Sequence, residues 1–184
     1  MENAQPRFSS ESCPIYFKSA LKWSYIIFIA FFVVYSVSII LFGHGEKFLY
    51  VIPWLVAAGL SIVFLDRIHI RWSTLIYVLI SIGWMTYFIY TYGWNCGGIN
   101  FMVPLMIISF FSLYESLAGK IIFVVALFLI RIGLFFHSQV HGAVVVLTPE
   151  QSLFFQILNT FAIFLNIAII CIIFSTNIQQ AEKH

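Results

Sequence analysis

The chain has 184 residues, of which 62% are hydrophobic and 9% charged, and its formal net charge is +2. Soluble domains carry about a quarter charged residues, and a chain of this size cannot hide so much apolar surface from water. The composition therefore predicts an integral membrane protein whose first partner is the lipid bilayer. The few, scattered basic residues give no indication of a nucleic-acid partner.

Six stretches are long and apolar enough to cross a bilayer, which takes roughly 20 residues per helix. We predict an all-α bundle of six transmembrane helices at residues 23–42, 48–65, 72–92, 101–117, 121–136 and 148–174. The sixth begins with a capping box, Thr148-Pro149-Glu150-Gln151. The predicted domains are a cytoplasmic segment 1–22, the membrane bundle 23–175, and the start of a cytoplasmic helix at 176–184.

Lysine and arginine are distributed unequally between the two sides of the predicted bundle. The side of the N-terminus carries Arg7, Lys18, Lys22, Arg67, Arg71, Lys120 and Lys183. The opposite side carries only Lys47. Because basic loops stay in the cytoplasm, both termini are predicted to be cytoplasmic.

Arg131 falls within the fifth predicted helix. At 1.5 Å per residue it lies ~16 Å from Lys120 and ~9 Å from His137, in the outer half of the bilayer. A charge there costs ~2.5–3.5 kcal/mol, so Arg131 is predicted to face the bundle or water and to have a partner. It contacts an anion or polar ligand in a cavity, clamps another helix, or extends toward the outer surface.

Polar residues form one stripe on each of two predicted helices. The stripe on the sixth helix contains Ser152, Gln156, Asn159 and Asn166. The stripe on the third contains Thr74, Tyr77, Ser81, Trp84 and Tyr87. Both are predicted to face inward, as hydrogen bonds between helices or as the lining of a ligand pocket. The candidate ligand-binding residues are Arg131, Asn159, Gln156, Asn100, Trp94, Trp84, Tyr87 and Asn166.

No constellation typical of catalysis is found. The sequence has no glycine-rich phosphate loop, HExxH or GxSxG motif, and no pair of acidic residues suited to acid–base chemistry. The chain by itself is therefore not expected to be an enzyme, and no cofactor is expected. His137 and His141 are four residues apart, with His44 on the same side. We interpret them as interfacial polar residues, with a metal site as the alternative.

The end of the sixth helix carries a short heptad pattern. Phe174, Ile178 and Ala181 follow one another at spacings of four and three, among polar residues. This pattern predicts a cytoplasmic coiled coil that leads into a signalling domain. A frayed helix end is the alternative.

The loop after the third helix contains Gly93, Trp94 and Gly97. They match the Gly-Trp-x-x-Gly motif, so the chain resembles the six-helix N-terminal sensor domains of bacterial membrane-bound GGDEF diguanylate cyclases. Related modules precede class III adenylate cyclases. The segment 177–182 also resembles the linker that leads into a GGDEF domain.

The resemblance implies a homodimer in the bacterial cytoplasmic (inner) membrane. It would sense an unknown small-molecule or lipid ligand and regulate the synthesis of cyclic di-GMP by a C-terminal cyclase domain. Two other interpretations remain open. One is a small transporter or a substrate-binding subunit of the vitamin-uptake type, and the other is the input domain of a histidine kinase.

Overall fold

The computed structural model describes residues 15–111 and 116–182, and these residues form only helices and connecting loops. The α-helices in chain order are α1 Ile15–Leu41, α2 Ile52–Phe64, α3 Ile70–Tyr92, α4 Met102–Phe111, α5 Leu117–His141 and α6 Pro149–Glu182. Three short 3-10 helices occupy Gly45–Tyr50, Trp94–Cys96 and Gly98–Phe101.

Five described segments are long and apolar enough to cross a membrane. They are Phe17–Leu41, Gly45–Phe64, Ile70–Tyr92, Leu117–His141 and Pro149–Thr176. The prediction of an all-α fold is confirmed for the described residues, and the five apolar segments are compatible with a membrane bundle. The fourth predicted span, 101–117, corresponds to the 10-residue helix α4, and residues 112–115 lie outside the described part. A sixth span therefore stays a prediction.

The core lies between α1, α3 and α6. Helix α1 packs most extensively against α6, and α3 closes the third side. Aromatic rings fill the space between these helices, with the ring centroids of Trp84 and Phe32 4.7 Å apart and those of Trp84 and Tyr35 5.0 Å apart. Edge-to-face pairs of this kind contribute about 0.5–1.5 kcal/mol beyond the area that they bury.

Helix α5 lies at the side of the bundle, against α3 and α4. Leu127 is the one buried residue of this helix. Large apolar side chains project outward along its length, so most of the surface of α5 is not covered by the other helices.

Helix α6 begins at the predicted capping box. The backbone N–H of Thr148 donates to Oε1 of Gln151 at 3.1 Å, and the Gln151 N–H donates to Oγ1 of Thr148 at 3.3 Å. The helix then continues without a break to Glu182, beyond the apolar segment that ends at Thr176.

The coiled-coil seam predicted at the end of α6 is not confirmed. Phe174 is buried in the core of the bundle and is not available to a partner helix. The side chains of Ile178 and Ala181 lie outside the described residues, so the rest of the seam stays a prediction.

Candidate functional site

The loop that joins α3 to α4 turns at two glycines. Gly93 and Gly97 have φ angles of +86° and +79°, a region that residues with a Cβ adopt only under strain. The two turns direct Trp94 toward α5, while Cys96 lies on the α6 side of the loop.

Arg131 contacts this loop through the face of an aromatic ring. Its guanidinium carbon is 5.6 Å from the ring centroid of Trp94. The two residues line a cavity of about 380 Å³ with Phe128, Ile132, Phe135 and Phe136. The side chain of Arg131 is exposed on α5 rather than turned into the bundle, which is one of the two directions predicted for it, and its role stays a prediction. The indole of Trp94 is its partner and holds it at the surface of the bundle.

Asn159 attaches α6 to the same loop from the opposite side. The side chain is fully buried, and its Nδ2 donates to the carbonyl oxygen of Cys96 at 2.6 Å. The prediction placed Asn159 at the depth of Arg131. The structure separates them, with Asn159 in the core and Arg131 on the outer face of α5, so they do not form one pocket.

Cys96 is held within this loop by its own thiol. Its Sγ donates to the carbonyl oxygen of Tyr92 at 3.2 Å and lies 3.6 Å from Oγ of Ser152 on α6. Burial raises the pKa of the Cys96 thiol, and the weaker effect of the Ser152 hydroxyl lowers it. The thiol is therefore protonated near neutral pH and serves as a hydrogen-bond donor rather than a nucleophile.

Five side chains from α1, α3 and α6 each bury a polar atom without a well-formed hydrogen bond among the described residues, although the hydroxyl of Tyr92 interacts with those of Tyr35 and Tyr87. We call this group the buried polar cluster. The buried polar atoms of this group are the hydroxyls of Tyr35, Tyr87 and Tyr92, Nε1 of Trp84, and Oδ1 of Asn159. Such an atom costs about 1–3 kcal/mol when it stays unpartnered in an apolar interior. A ligand that supplied the missing hydrogen bonds would therefore stabilise the folded bundle.

The members of the buried polar cluster are close neighbours. The ring centroids of Tyr35 and Tyr92 are 6.0 Å apart, and those of Trp84 and Tyr87 are 5.6 Å apart. Phe155 of α6 packs between them, 5.3 Å from Tyr35 and 5.4 Å from Tyr92. Hydroxyls donate and accept, the indole N–H only donates, and the amide oxygen only accepts. The set matches a neutral ligand with both a donor and an acceptor, because it contains no charged group.

Asn166 belongs to a separate, completed network. Its Oδ1 accepts from Oγ of Ser24 at 3.0 Å, and its Nδ2 donates to the hydroxyl of Tyr77 at 3.3 Å. The network joins α6 to α1 and α3, and both the oxygen and the nitrogen of the amide take part in it. Two roles were predicted for Asn166, a hydrogen bond between helices or the lining of a ligand pocket. The geometry favours the hydrogen bond between helices.

Asn100 and Gln156 are exposed and do not line the buried polar cluster. Gln156 instead covers the loop, because a Cβ placed on Gly97 would lie 3.6 Å from its Cγ. The inward-facing stripe on α6 therefore contains fewer residues than predicted. It contains Asn159 and Asn166, which are both buried, but not Gln156.

The stripe predicted on α3 does face inward. Tyr77, Ser81 and Trp84 are buried, while Thr74 and Tyr87 are half-buried. The Ser81 hydroxyl donates to the carbonyl oxygen of Tyr77 within the same helix. Two of the five predicted positions, Trp84 and Tyr87, belong to the buried polar cluster.

The histidine pair lies at the C-terminal end of α5. The rings of His137 and His141 have centroids 4.6 Å apart, and His137 stacks on Tyr90 at 5.8 Å. Within the described ranges, no group of three or more His, Cys, Asp or Glu side chains is arranged to hold a metal ion.

Tyr35 and Tyr92 were missed in the sequence. Tyr92 is the last residue of α3 and is only 4% exposed. Tyr35 follows Tyr25, Phe28 and Phe32 on α1 at spacings of three and four, and all four are buried. That periodicity marks the inward face of α1, and it was the signal that would have found Tyr35.

No protein-family model, curated protein or solved structure matches this chain. The resemblance to the sensor domains of diguanylate cyclases therefore depends on the motif at Gly93, Trp94 and Gly97 and on the layout of the helices.

Proposed function

We propose that this protein is a membrane receptor module that binds a small neutral ligand at the buried polar cluster. The observation that carries the proposal is the group of five buried polar atoms that make no well-formed hydrogen bond among the described residues. A ligand that hydrogen-bonds to several of them would offset the free-energy cost of burying these atoms without hydrogen bonds. The aromatic rings around these atoms would pack against the apolar part of the ligand.

Helix α6 is suited to relay the binding event. Asn159 uses one side of its amide to hold the loop at Cys96, and the other side is free for a ligand. A ligand that prefers one position of Asn159 shifts the equilibrium between two positions of α6. The helix is continuous from Pro149 to Glu182, so a shift at residue 159 would reach its far end.

The output in this proposal is a cytoplasmic cyclase, most simply a diguanylate cyclase that makes cyclic di-GMP. Two copies of the chain would dimerise in a bacterial cytoplasmic membrane, with both termini in the cytoplasm. Support comes from the loop motif, from the unequal distribution of lysine and arginine, and from the extension of α6 past Thr176.

Native mass spectrometry of the protein purified from bacterial membranes tests the ligand site. We expect a small molecule to be released from the wild type on collisional activation. Tyr35→Phe and Trp84→Phe each remove one polar atom of the buried polar cluster while keeping an aromatic ring, so both should lower the occupancy. Tyr77→Phe is the matched control, because the hydroxyl of Tyr77 is already bonded to Asn166.

The proposal is wrong if the wild type carries no small molecule. It is equally wrong if the control variant lowers the occupancy as much as the two cluster variants do. The gene beyond the codon for His184 tests the output. A GGDEF, adenylate cyclase or kinase sequence supports a receptor, whereas an immediate stop codon favours the transporter or uptake subunit.

A further inference from the structure

Arg131 lies on the lipid-facing side of α5, yet it has no acidic partner. Among the described residues, the one salt bridge joins Lys18 to Asp66, far along the chain from Arg131. The Trp94 ring attracts the guanidinium but does not neutralise it. A full charge at this depth calls for an anion.

The cavity at Arg131 has the form of a site for an amphipathic anion. Its other walls are apolar, and Phe128, Phe135 and Phe136 are each at least 40% exposed. The cavity therefore opens to the surrounding lipid rather than into the bundle. A molecule bound there must place a negative group on the guanidinium and hydrocarbon against the phenylalanine rings.

We propose that this cavity binds an anionic phospholipid from the leaflet on the side of the α3–α4 loop. The lipid phosphate accepts hydrogen bonds from the guanidinium of Arg131, whose planar arrangement of N–H groups matches two phosphate oxygens. One acyl chain runs along Phe128 and Phe135. Trp94 holds the guanidinium from its other side, so the lipid also fixes the loop that Asn159 bonds to.

The lipid site is separate from the buried polar cluster and does not depend on the receptor role. Arg131 and Trp94 are the only members of the cavity wall with a charged or indole N–H group. The remaining wall residues are apolar and contact only the acyl chains, so they do not distinguish between lipids whose acyl chains are the same. Selection among lipids therefore depends on the charge of the headgroup.

Lipid titration followed by native mass spectrometry tests the proposal on the full chain in detergent. The probes are dioleoyl phosphatidylglycerol and dioleoyl phosphatidylcholine, which share acyl chains and differ in net charge. We expect the wild type to bind the anionic lipid more tightly. Arg131→Gln should weaken that binding about fivefold, the effect of one basic residue near an anionic membrane surface, and leave the zwitterionic lipid unaffected.

Lys47→Gln is the matched control. Lys47 is also a cation over an aromatic ring, 5.8 Å from the centroid of Tyr50, but it does not line the cavity. This variant should keep the lipid preference of the wild type. Arg131→Lys keeps the charge and should retain most of the preference, which separates loss of charge from loss of folding.

Three outcomes would overturn the proposal. The first is equal binding of the two lipids by the wild type. The second is a loss of preference in Lys47→Gln as large as the loss in Arg131→Gln. The third is displacement of the anionic lipid by inorganic phosphate, because the cavity would then take free anions and not a lipid. None of these outcomes affects the small-molecule test at Tyr35 and Trp84.

Discussion

At the scale of single residues, two buried tyrosines differ in whether the hydroxyl has a partner. The hydroxyl of Tyr77 is bonded to Asn166, whereas that of Tyr35 lies near the hydroxyl of Tyr92 without a well-formed hydrogen bond. In ligand-free protein, we expect Tyr77→Phe to lower the free energy of unfolding by about 0.6 kcal/mol, the average for hydrogen bonds between membrane helices. Tyr35→Phe should leave it unchanged or raise it, because the variant removes an unsatisfied group.

Reversible unfolding in mixed micelles measures both changes. A loss in Tyr35→Phe that exceeds the loss in Tyr77→Phe would mean that the hydroxyl of Tyr35 already has a partner in the ligand-free protein. That result would remove one member of the buried polar cluster.

Gly97 is a second position where a single atom, the Cβ of a substituted residue, should change the stability of the protein. With φ at +79°, an alanine there should lower the free energy of unfolding by about 1 kcal/mol, the cost of a left-handed conformation for a residue with a Cβ. Gly45→Ala is the control, because Gly45 has no positive φ and a Cβ there meets no atom within 4 Å. Equal effects of the two substitutions on unfolding in micelles would contradict this account of the loop.

At the scale of elements, the start of α6 depends on its capping box. Thr148→Ala removes the hydroxyl that accepts from the Gln151 N–H, and we expect it to cost about 1 kcal/mol of unfolding free energy. Thr176→Ala removes a hydroxyl that donates to the Ile172 carbonyl oxygen within the helix, and it should be close to neutral. Circular dichroism during thermal unfolding would compare them, and an unchanged midpoint in Thr148→Ala would contradict the prediction.

Some helix ends could be predicted because apolar length and capping chemistry act locally, although α1 begins well before its predicted start, at Ile15. Helix α3 was predicted at 72–92 and is Ile70–Tyr92, and α6 begins within one residue of its predicted start. Helix α5 extends about one turn beyond the predicted 121–136 at each end, to Leu117–His141. The additional turns contain polar residues, which hydropathy excludes although they stay helical.

The orientation of a side chain about its helix was predictable only where polar residues recur with a helical period. This worked for Tyr77, Ser81 and Trp84, because lipid does not solvate hydroxyls and amides and they turn inward. Helix α5 is apolar on nearly all sides, so nothing in its sequence indicated which way Arg131 points. Its contact with Trp94 depends on how the loop folds, which local sequence does not specify.

At the scale of the whole molecule, one ion pair connects two of the described charged side chains. Nζ of Lys18 on α1 is 2.9 Å from Oδ1 of Asp66, in the turn between α2 and α3. The hydrogen bond and charge of Lys18 hold the pKa of the Asp66 carboxyl below its ordinary value. The contribution to stability is therefore present above the unfolded-state pKa and is lost as the pH falls through the lower, folded-state pKa.

We expect Asp66→Asn to remove that part of the acid dependence of unfolding, with a small effect because the carboxyl is 87% exposed. A carbon-13 titration of the Asp66 carboxyl should show its pKa return to the ordinary value in Lys18→Gln. The same pKa in Lys18→Gln and in the wild type would exclude the ion pair as the cause.

The bundle as a whole has a tightly packed part and a loosely attached part. Helices α1, α3 and α6 enclose the aromatic core and the buried polar cluster, whereas α5 is held at the side and presents Arg131 to lipid. The loop from Gly93 to Phe101 contacts both parts, through Trp94 on one side and Cys96 on the other. A ligand in the core and a lipid on α5 would therefore act on the same loop.

The central claim is that a ligand at the buried polar cluster changes the far end of α6. Hydrogen–deuterium exchange of the backbone amides of residues 176–182 tests it, in protein with its co-purified molecule and after exhaustive detergent exchange. We predict that removing the molecule changes exchange at these amides in the wild type and in Tyr77→Phe, but not in a Tyr35→Phe, Trp84→Phe double variant. Identical exchange in the wild type with and without the molecule would contradict the claim.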